Sequence, residues 1–136
     1  MSIQHLNEDQ RHALLESARE VAGRAYAPYS NFFVGAALLT EMGTIYRGCN
    51  VENASYGLTN CAERTAIFAA VAGLGADQLS IRAIAVATAH GQPAAPCGAC
   101  RQVIFEFNPD AQVFFFGDNG MVSTTARELL PYGFRL

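Results

Sequence analysis

Two short segments of the chain combine cysteines with an acidic residue. The run CAE occupies positions 61–63, and the run PCGAC occupies positions 96–100. Cysteine thiolates are zinc ligands, and a tetrahedral zinc held by three protein side chains keeps its fourth position open, as catalytic sites do. Such an ion makes water acidic enough to act as a nucleophile at neutral pH. The spacing therefore predicts a catalytic Zn²⁺ site with Cys61, Cys97 and Cys100 as ligands, and Glu63 is the acidic residue nearest to it in sequence.

The charge of this site predicts a role for nearby arginines. Three thiolates carry more negative charge than the metal can offset, which would make a bound water less acidic than neutral histidine ligands do. Arg64 follows Cys61 by three residues, so the two lie on one face of a helix. We expect Arg64 to offset thiolate charge, and Arg101, which follows Cys100 directly, to act similarly.

The position of the acid sets a geometric condition on this reading. Glu63 follows Cys61 by two residues, and residues two apart in a regular helix do not face each other. The two can share a pocket only if Cys61 lies at the irregular entry of the helix. Both cysteine groups stand where we predict helix N-termini, whose free N–H groups favour thiolates.

Two other uses of the cysteines remain open at this stage. The C-x-x-C of Cys97 and Cys100 could be a thioredoxin-like redox pair. Alternatively, Cys49 could join the other three in a closed structural zinc site, although a buried thiol that packs as a small hydrophobe is the simpler expectation for it. The histidines lack ligand spacing, and we expect them at the surface; they are His5, His12 and His90.

The elements that must position these residues follow from hydrophobic periodicity and from turn and cap signals. They come in the order α-β-β-α-β-α-β-β-α, which predicts an α/β fold with one mixed five-stranded sheet and helices on both faces. Asn7 with Gln10, and Thr125 with Glu128, match capping boxes at two helix starts. The predicted strands are 34–40, 44–50, 81–88, 111–116 and 121–124; the predicted helices run from Asn7 to Pro28, over 61–71 closed by Gly73, over 98–108, and after Thr125.

Composition limits the partners. The chain has 136 residues, of which 51% are hydrophobic and 15% charged, with a formal net charge of −3 and no basic run. We therefore expect a single domain over residues 1–136, and no nucleic-acid partner, because nucleic-acid binders usually carry a basic patch. The polar N-terminus lacks the apolar region of a signal peptide, and no apolar run approaches the roughly 18 residues of a membrane span. We expect a cytoplasmic protein with no membrane partner.

Longer motifs carry a family resemblance. Around the cysteine runs stand APYS at 27–30, VGAAL at 34–38, GCNVENA at 48–54, NCAERTA at 60–66 and LLP at 129–131. Together, from about Ala27 to Phe134, they resemble the small homotetrameric cytidine deaminases. The first predicted metal ligand, Cys61, is a cysteine where other deaminases have histidine, and in this respect the chain resembles the short tetrameric branch.

The resemblance implies roles for further residues. Asn50 and Glu52 resemble family residues that hydrogen-bond to the ribose 3′-hydroxyl, although both could merely end a strand. Phe32 resembles an aromatic that packs on the pyrimidine, and the N–H of Ala62 a donor to the base carbonyl. Tyr56 and Phe134 resemble residues that reach a neighbouring subunit's site in a homotetramer, although an isolated Phe is by default a core residue.

The implied activity is zinc-dependent hydrolytic deamination of free cytidine and deoxycytidine, which serves pyrimidine salvage. Glu63 would move a proton from water to N3 of the base and a second proton to the departing amino group, with no organic cofactor. The alternatives are a related enzyme with another amine substrate, a non-catalytic zinc-stabilised binding module, and an RNA-editing deaminase. An acidic Glu52 near the sugar also predicts that CMP is a poor substrate.

Overall fold

The computed structural model describes residues 5–136 of the chain. The four residues before His5, which the single-domain prediction and the assessment of the N-terminus include, lie outside that part. The described elements, in chain order, are α1 (Glu8–Ala22), β1 (Val34–Thr40), β2 (Ile45–Cys49), α2 (Ala62–Leu74), β3 (Ile81–Thr88), α3 (Gly98–Phe107), β4 (Gln112–Gly117), β5 (Gly120–Thr125) and α4 (Ala126–Leu129), with two short 3-10 turns, Tyr56–Leu58 and Ala76–Gln78.

The five strands form one sheet in the order β2-β1-β3-β4-β5. Only the β3–β4 pair is parallel among these neighbours, and the other three pairs are antiparallel. The parallel pair is joined through α3, as parallel strands require a crossover. The predicted α/β fold with a mixed five-stranded sheet is therefore confirmed.

Alanines make up most of the sheet face on which α1 packs. Leu14 and Ala18 of the helix are buried against Ala37, Ala85 and Phe114. The approach is close because the second residue of β1 is a glycine: a Cβ on Gly35 would lie 2.0 Å from the carbonyl oxygen of Ala18.

Larger aliphatic side chains form the core on the opposite face, under α2 and α3. Ile67 of α2 and Ile104 of α3 are fully buried against Leu38, Ile84 and Val86 of the central strands. Alternate residues of the strands therefore face opposite layers. The sheet has helices on both faces, as the sequence predicts.

Two helix starts carry the predicted caps. Asn7 Oδ1 accepts a hydrogen bond from Gln10 N at 2.8 Å, and Gln10 Oε1 accepts from Asn7 N at 2.9 Å. Thr125 Oγ1 likewise accepts from Glu128 N at the start of α4. These bonds satisfy N–H groups that have no partner within their helices.

Two predicted helix ends are wrong, for tertiary reasons. The first helix ends at Ala22, before Pro28, because the chain must turn for Tyr26 to pair with the backbone of Val51. The second continues through Gly73 to Leu74. Gly73 is explained by packing and does not end the helix: a Cβ at this position would lie 2.8 Å from the Tyr46 ring.

Both cysteine segments follow strands that end on the same side of the sheet. At the start of β1, Gly35 pairs with Cys49, the last residue of β2, and Val34 pairs with Thr88, the last residue of β3. The chain leaves β2 towards Cys61 and leaves β3 towards residues 96–100. The antiparallel register of one central strand thus brings together segments that are distant in sequence.

Gly48 allows α2 to lie directly on β2. A Cβ at this position would be 2.4 Å from the backbone nitrogen of Ala66 and 2.9 Å from the carbonyl oxygen of Ala62. Both obstacles are helix backbone, which cannot rotate away.

Within residues 5–136 no helix combines the length and the apolar character needed to cross a bilayer.

Gly48→Ala should lower the free energy of unfolding by about 3 kcal/mol, the upper part of the usual range for overpacking, because the added methyl must displace α2. Thermal unfolding of the purified variant measures this. Gly57→Ala is the matched control, since a Cβ at Gly57 meets nothing within 4 Å. Equal stability of the two variants would contradict the close-contact argument.

Candidate active site

Cys61 and Cys97 each stand at the N-cap of a helix. Cys61 precedes α2 with extended backbone angles, φ −71° and ψ 154°, and Cys97 precedes α3 with φ −68° and ψ 168°. Cys61 is therefore at the irregular entry of its helix, as the pairing with Glu63 requires. Both sulfurs lie at helix N-termini, where the helix dipole stabilises negative charge.

Three sulfur atoms form one cluster. The Sγ atoms of Cys61, Cys97 and Cys100 all lie within 4.8 Å of one another. The Sγ atoms of Cys61 and Cys97 are 3.8 Å apart. Two ligands about 2.3 Å from a tetrahedral zinc are separated by about 3.8 Å, so this spacing fits the metal. It is far too long for a disulfide, in which the sulfurs are about 2.05 Å apart.

The fourth cysteine is not part of the cluster. Cys49 is half-buried at the end of β2, and within residues 5–136 the cluster of sulfur atoms consists of the other three cysteines. This arrangement argues against a closed site with four cysteine ligands. All four cysteines are free, so Cys97 and Cys100 do not form the disulfide of a redox pair in this structure.

Arg64 supplies positive charge to the cluster. Its Nη2 donates a hydrogen bond to Cys61 Sγ at 3.2 Å. The pKa of Cys61 is lowered to about 5, first by a hydrogen bond from the Cys100 thiol and then by Arg64 and Cys97, against the effect of burial. The Nε atom of Arg64 is buried without a partner among the described residues. A half-buried guanidinium beside the sulfurs favours a site of high negative charge, such as three thiolates.

The other arginine has a different role from the predicted one. Arg101 donates through Nε to the carbonyl oxygen of Pro96 at 2.8 Å and through Nη1 to that of Leu129 at 3.2 Å. These bonds tie the loop before Cys97 to the end of α4. The expectation that Arg101 offsets thiolate charge is replaced by this backbone contact.

Glu63 is buried beside the sulfur cluster. It is the second residue of α2, its relative exposure is 4%, and it lines a cavity together with Cys61 and Cys97. Burial raises the pKa of its carboxyl, and the negative charge of Cys61 raises it further. A carboxyl whose pKa is raised above its ordinary value holds a proton more readily, which suits a group that both accepts and returns one.

The cavity beside Glu63 has a volume of about 310 Å³, within the range of small-molecule sites. Its walls include four of the residues predicted to bind substrate: Phe32, Asn50, Glu52 and Ala62. Ala62 is the first residue of α2, and its N–H is one of those that an α-helix leaves without an internal partner. The Cys61 side chain makes no capping hydrogen bond.

The Asn50 side chain binds the backbone and keeps some of its hydrogen-bonding groups free. Its Oδ1 accepts from the backbone N of Val34 at 2.9 Å, and its Nδ2 donates to the carbonyl oxygen of Phe32 at 2.8 Å. The side chain thus holds the segment that carries Phe32. A carboxamide has two donors and two acceptor sites, so one N–H and one lone pair stay available to a ligand.

Glu52 is held by the segment before β1. Its Oε1 accepts from the backbone N of Tyr29 at 2.9 Å and of Ser30 at 3.2 Å, and the Ser30 hydroxyl donates to Oε2. The Ser30 hydroxyl contributes most to lowering the pKa of Glu52, with the two backbone donors also lowering it. The carboxylate is therefore ionised at neutral pH and acts as an acceptor.

A short backbone ladder joins these residues to the metal ligands. Val51, between Asn50 and Glu52, exchanges both backbone hydrogen bonds with Asn60, at 3.0 and 2.9 Å. The Asn60 side chain then donates to Thr65 Oγ1, which donates to the carbonyl oxygen of Cys61 at 3.1 Å. The position of Cys61 is fixed relative to the polar side chains of the cavity.

Two predicted residues do not reach the cavity within this chain. Tyr56 is 75% exposed, contacts the edge of the Tyr29 ring at a centroid distance of 5.7 Å, and lines an adjoining hollow with Glu52. Phe134 is also exposed, and its carbonyl oxygen accepts from Gln102 Nε2 on α3. The histidines His5, His12 and His90 are exposed, as expected.

Sequence reasoning missed Ser30 and Thr59, which line the same cavity, and the Asn60–Thr65 contact behind Cys61. A serine two residues before Phe32 is a common turn residue, so a local signal existed. Nothing in the local sequence indicated that its hydroxyl meets Glu52, 22 positions away.

The chain matches the sequence model of the family described as "Cytidine and deoxycytidylate deaminase zinc-binding region" over residues 8–116. It is 49% identical over 123 residues to a cytidine deaminase of Sporosarcina psychrophila, covering 89% of this chain and 88% of the relative. It is 48% identical over 126 residues to a cytidine deaminase of Halalkalibacterium halodurans, covering 91% and 93%.

A solved structure agrees with these sequence matches. The crystal structure of cytidine deaminase from Burkholderia pseudomallei superimposes with a TM-score of 0.81 at 49% identity, covering 95% of this chain and 100% of that one. Fold, cysteine cluster and buried glutamate thus agree with matches that span most of the sequence. The chain belongs to the cytidine and deoxycytidylate deaminase family and is an enzyme of the cytidine deaminase type.

Proposed function

We propose that this enzyme catalyses the zinc-dependent hydrolysis of free cytidine and deoxycytidine to uridine and deoxyuridine, with release of ammonia, as a step of pyrimidine salvage. One observation carries the proposal. The buried carboxyl of Glu63 and the three-sulfur cluster border one cavity, whose walls also include Asn50 and Glu52, polar groups suited to a sugar.

The cysteine cluster has the donor set and spacing of a zinc site, with Cys61, Cys97 and Cys100 as the ligands. When bound, zinc supplies a Lewis acid that makes water nucleophilic at neutral pH. Arg64 and the N-termini of α2 and α3 offset the negative charge of the thiolates.

Glu63 moves the protons of the reaction. Its carboxylate accepts a proton from the attacking water and delivers it to N3 of the cytosine ring, which makes C4 more electrophilic. The oxygen of that water bonds to C4. The carboxylate then takes the remaining proton of the new C4 hydroxyl and passes it to the amino group at C4; the C4–N bond breaks, ammonia leaves, and a carbonyl remains at C4. The atoms balance as nucleoside plus water giving the keto nucleoside plus ammonia.

The cavity walls orient the nucleoside. The Phe32 ring packs against the pyrimidine, and the Ala62 N–H donates to the base carbonyl. The spare N–H of Asn50 and the ionised Glu52 bind the ribose 3′-hydroxyl. Each of these groups is fixed by backbone contacts or packing before substrate arrives, which reduces the entropy cost of binding.

The charge of the cavity favours a free nucleoside over a nucleotide or a polynucleotide. Glu52 would lie near the sugar, where it repels a phosphate, and the chain has a formal net charge of −3. We therefore expect no nucleic-acid partner and poor turnover of CMP.

The proposal includes a cytoplasmic homotetramer whose subunits complete one another's sites. Exposed aromatic side chains support this part. Tyr56 beside the hollow next to Glu52 and Phe134 near the C-terminus are 75% and 67% exposed in the single chain. Aromatic side chains are enriched at protein–protein interfaces relative to the rest of the surface.

Purified enzyme should convert cytidine and deoxycytidine to their uracil products, and a zinc chelator should stop the reaction. Glu63→Gln should keep its zinc but lose about 10²- to 10⁴-fold in kcat, because the proton carrier is gone. Ultraviolet absorbance follows turnover, with CMP, adenosine, guanine and single-stranded RNA as comparison substrates. Full activity of Glu63→Gln, or faster turnover of a comparison substrate, would contradict the proposal.

The cysteines should divide into two classes. Cys97→Ala should lose the metal, whereas Cys49→Ala should retain it, because Cys49 lies outside the sulfur cluster. Elemental analysis of each purified variant measures zinc per chain. Zinc loss in Cys49→Ala at unchanged thermal stability would instead support a closed four-cysteine site.

Arg64→Gln should weaken zinc binding at least about tenfold, since a hydrogen bond to a charged group contributes about 1.5–3 kcal/mol. Competition with a chromophoric chelator measures the affinity. The control is Arg24→Gln, because Arg24 is exposed and lies just after α1. If both variants held zinc equally, Arg64 would not be stabilising the thiolates.

A further inference from the structure

The Ser30 hydroxyl makes two contacts at once. It donates to Glu52 Oε2 and accepts from the backbone N of Phe32 at 3.0 Å. It therefore joins the proposed ligand of the sugar to the residue proposed to pack on the base. A hydroxyl can donate and accept at the same time, whereas an alanine at this position could do neither.

The backbone at this turn is shaped for these contacts. Asn31 has a φ of +56°, in the left-handed region that asparagine tolerates better than most residues. This turn folds the chain so that Phe32 N meets the hydroxyl of Ser30. The hydroxyl and the Ser30 N–H then both reach Glu52.

The contacts nearly fill the acceptor capacity of Glu52. A carboxylate has about four lone-pair sites. Two on Oε1 are used by the N–H groups of Tyr29 and Ser30, and one on Oε2 by the Ser30 hydroxyl. One lone pair of Oε2 remains, which is enough for a single hydroxyl donor.

We propose that Ser30 is a positioning residue that holds the Glu52 carboxylate with one free lone pair for the sugar, and thereby sets the preference for nucleosides with a 3′-hydroxyl. This inference rests on the proposed deaminase function and deepens it. Ser30 acts through Glu52, so its effect depends on whether the substrate carries the hydroxyl that Glu52 accepts.

The test compares deoxycytidine with 2′,3′-dideoxycytidine, which lacks the 3′-hydroxyl, by kcat/KM. We expect the wild type to prefer deoxycytidine. In Ser30→Ala this preference should fall at least about tenfold, because a charge-assisted hydrogen bond loses its fixed acceptor. Loss of the Phe32 contact affects both substrates and cancels in the ratio.

Ser30→Thr keeps a hydroxyl and should restore most of the preference. Ser123→Ala is the matched control, since Ser123 is exposed on β5, the edge strand away from β1. It should leave the ratio unchanged. If Ser30→Ala is insoluble, Ser30→Cys replaces it, because a thiol of similar size is a weak donor and should also lower the ratio.

The outcomes separate the two proposals. A wild type that deaminates neither nucleoside would overturn the proposed function. A wild type that prefers deoxycytidine, with the same ratio in Ser30→Ala or Ser30→Cys, would overturn the role of Ser30 alone. An equal fall for both substrates would assign Ser30 a merely structural role and would also overturn it.

Discussion

Balance of charge at two helix N-termini is the constraint on which the site depends. Three cysteine sulfurs lie within 4.8 Å of one another, and as thiolates they would repel strongly. Arg64 donates to Cys61, and both Cys61 and Cys97 lie where helix dipoles favour negative charge. Because this positive potential comes from the backbone and from one half-buried arginine, the cluster can present an anionic site to a metal.

The sheet brings two segments that are distant in sequence to the same end of its central strands. β1 pairs with the ends of both β2 and β3, and Gly48 lets α2 rest on the sheet with no side chain between them. The ladder through Val51 and Asn60 then couples the polar wall of the cavity to Cys61. The residues proposed to bind substrate and those proposed to bind the metal are therefore joined by one chain of hydrogen bonds, and proton transfer would depend on such fixed geometry.

The sequence predicted those features that local patterns encode. Helix caps at Asn7 and Thr125, the strand order along the chain and the cysteine spacing all leave signals within a few residues. Contacts between distant segments leave none. Arg101 bonds to the carbonyl of Leu129 instead of serving the thiolates, Gly73 packs on Tyr46 instead of ending a helix, and Ser30 meets Glu52 across 22 positions. Tertiary packing decided each of these, and no periodicity or spacing reports it.

In the proposed site, three sulfurs hold the metal and leave one position for water. X-ray absorption at the zinc edge of the metal-loaded enzyme measures the ligands directly. We expect three sulfur scatterers at about 2.3 Å and one light scatterer, oxygen or nitrogen, at about 2.0 Å. Four sulfur scatterers, or fewer than three, would contradict it.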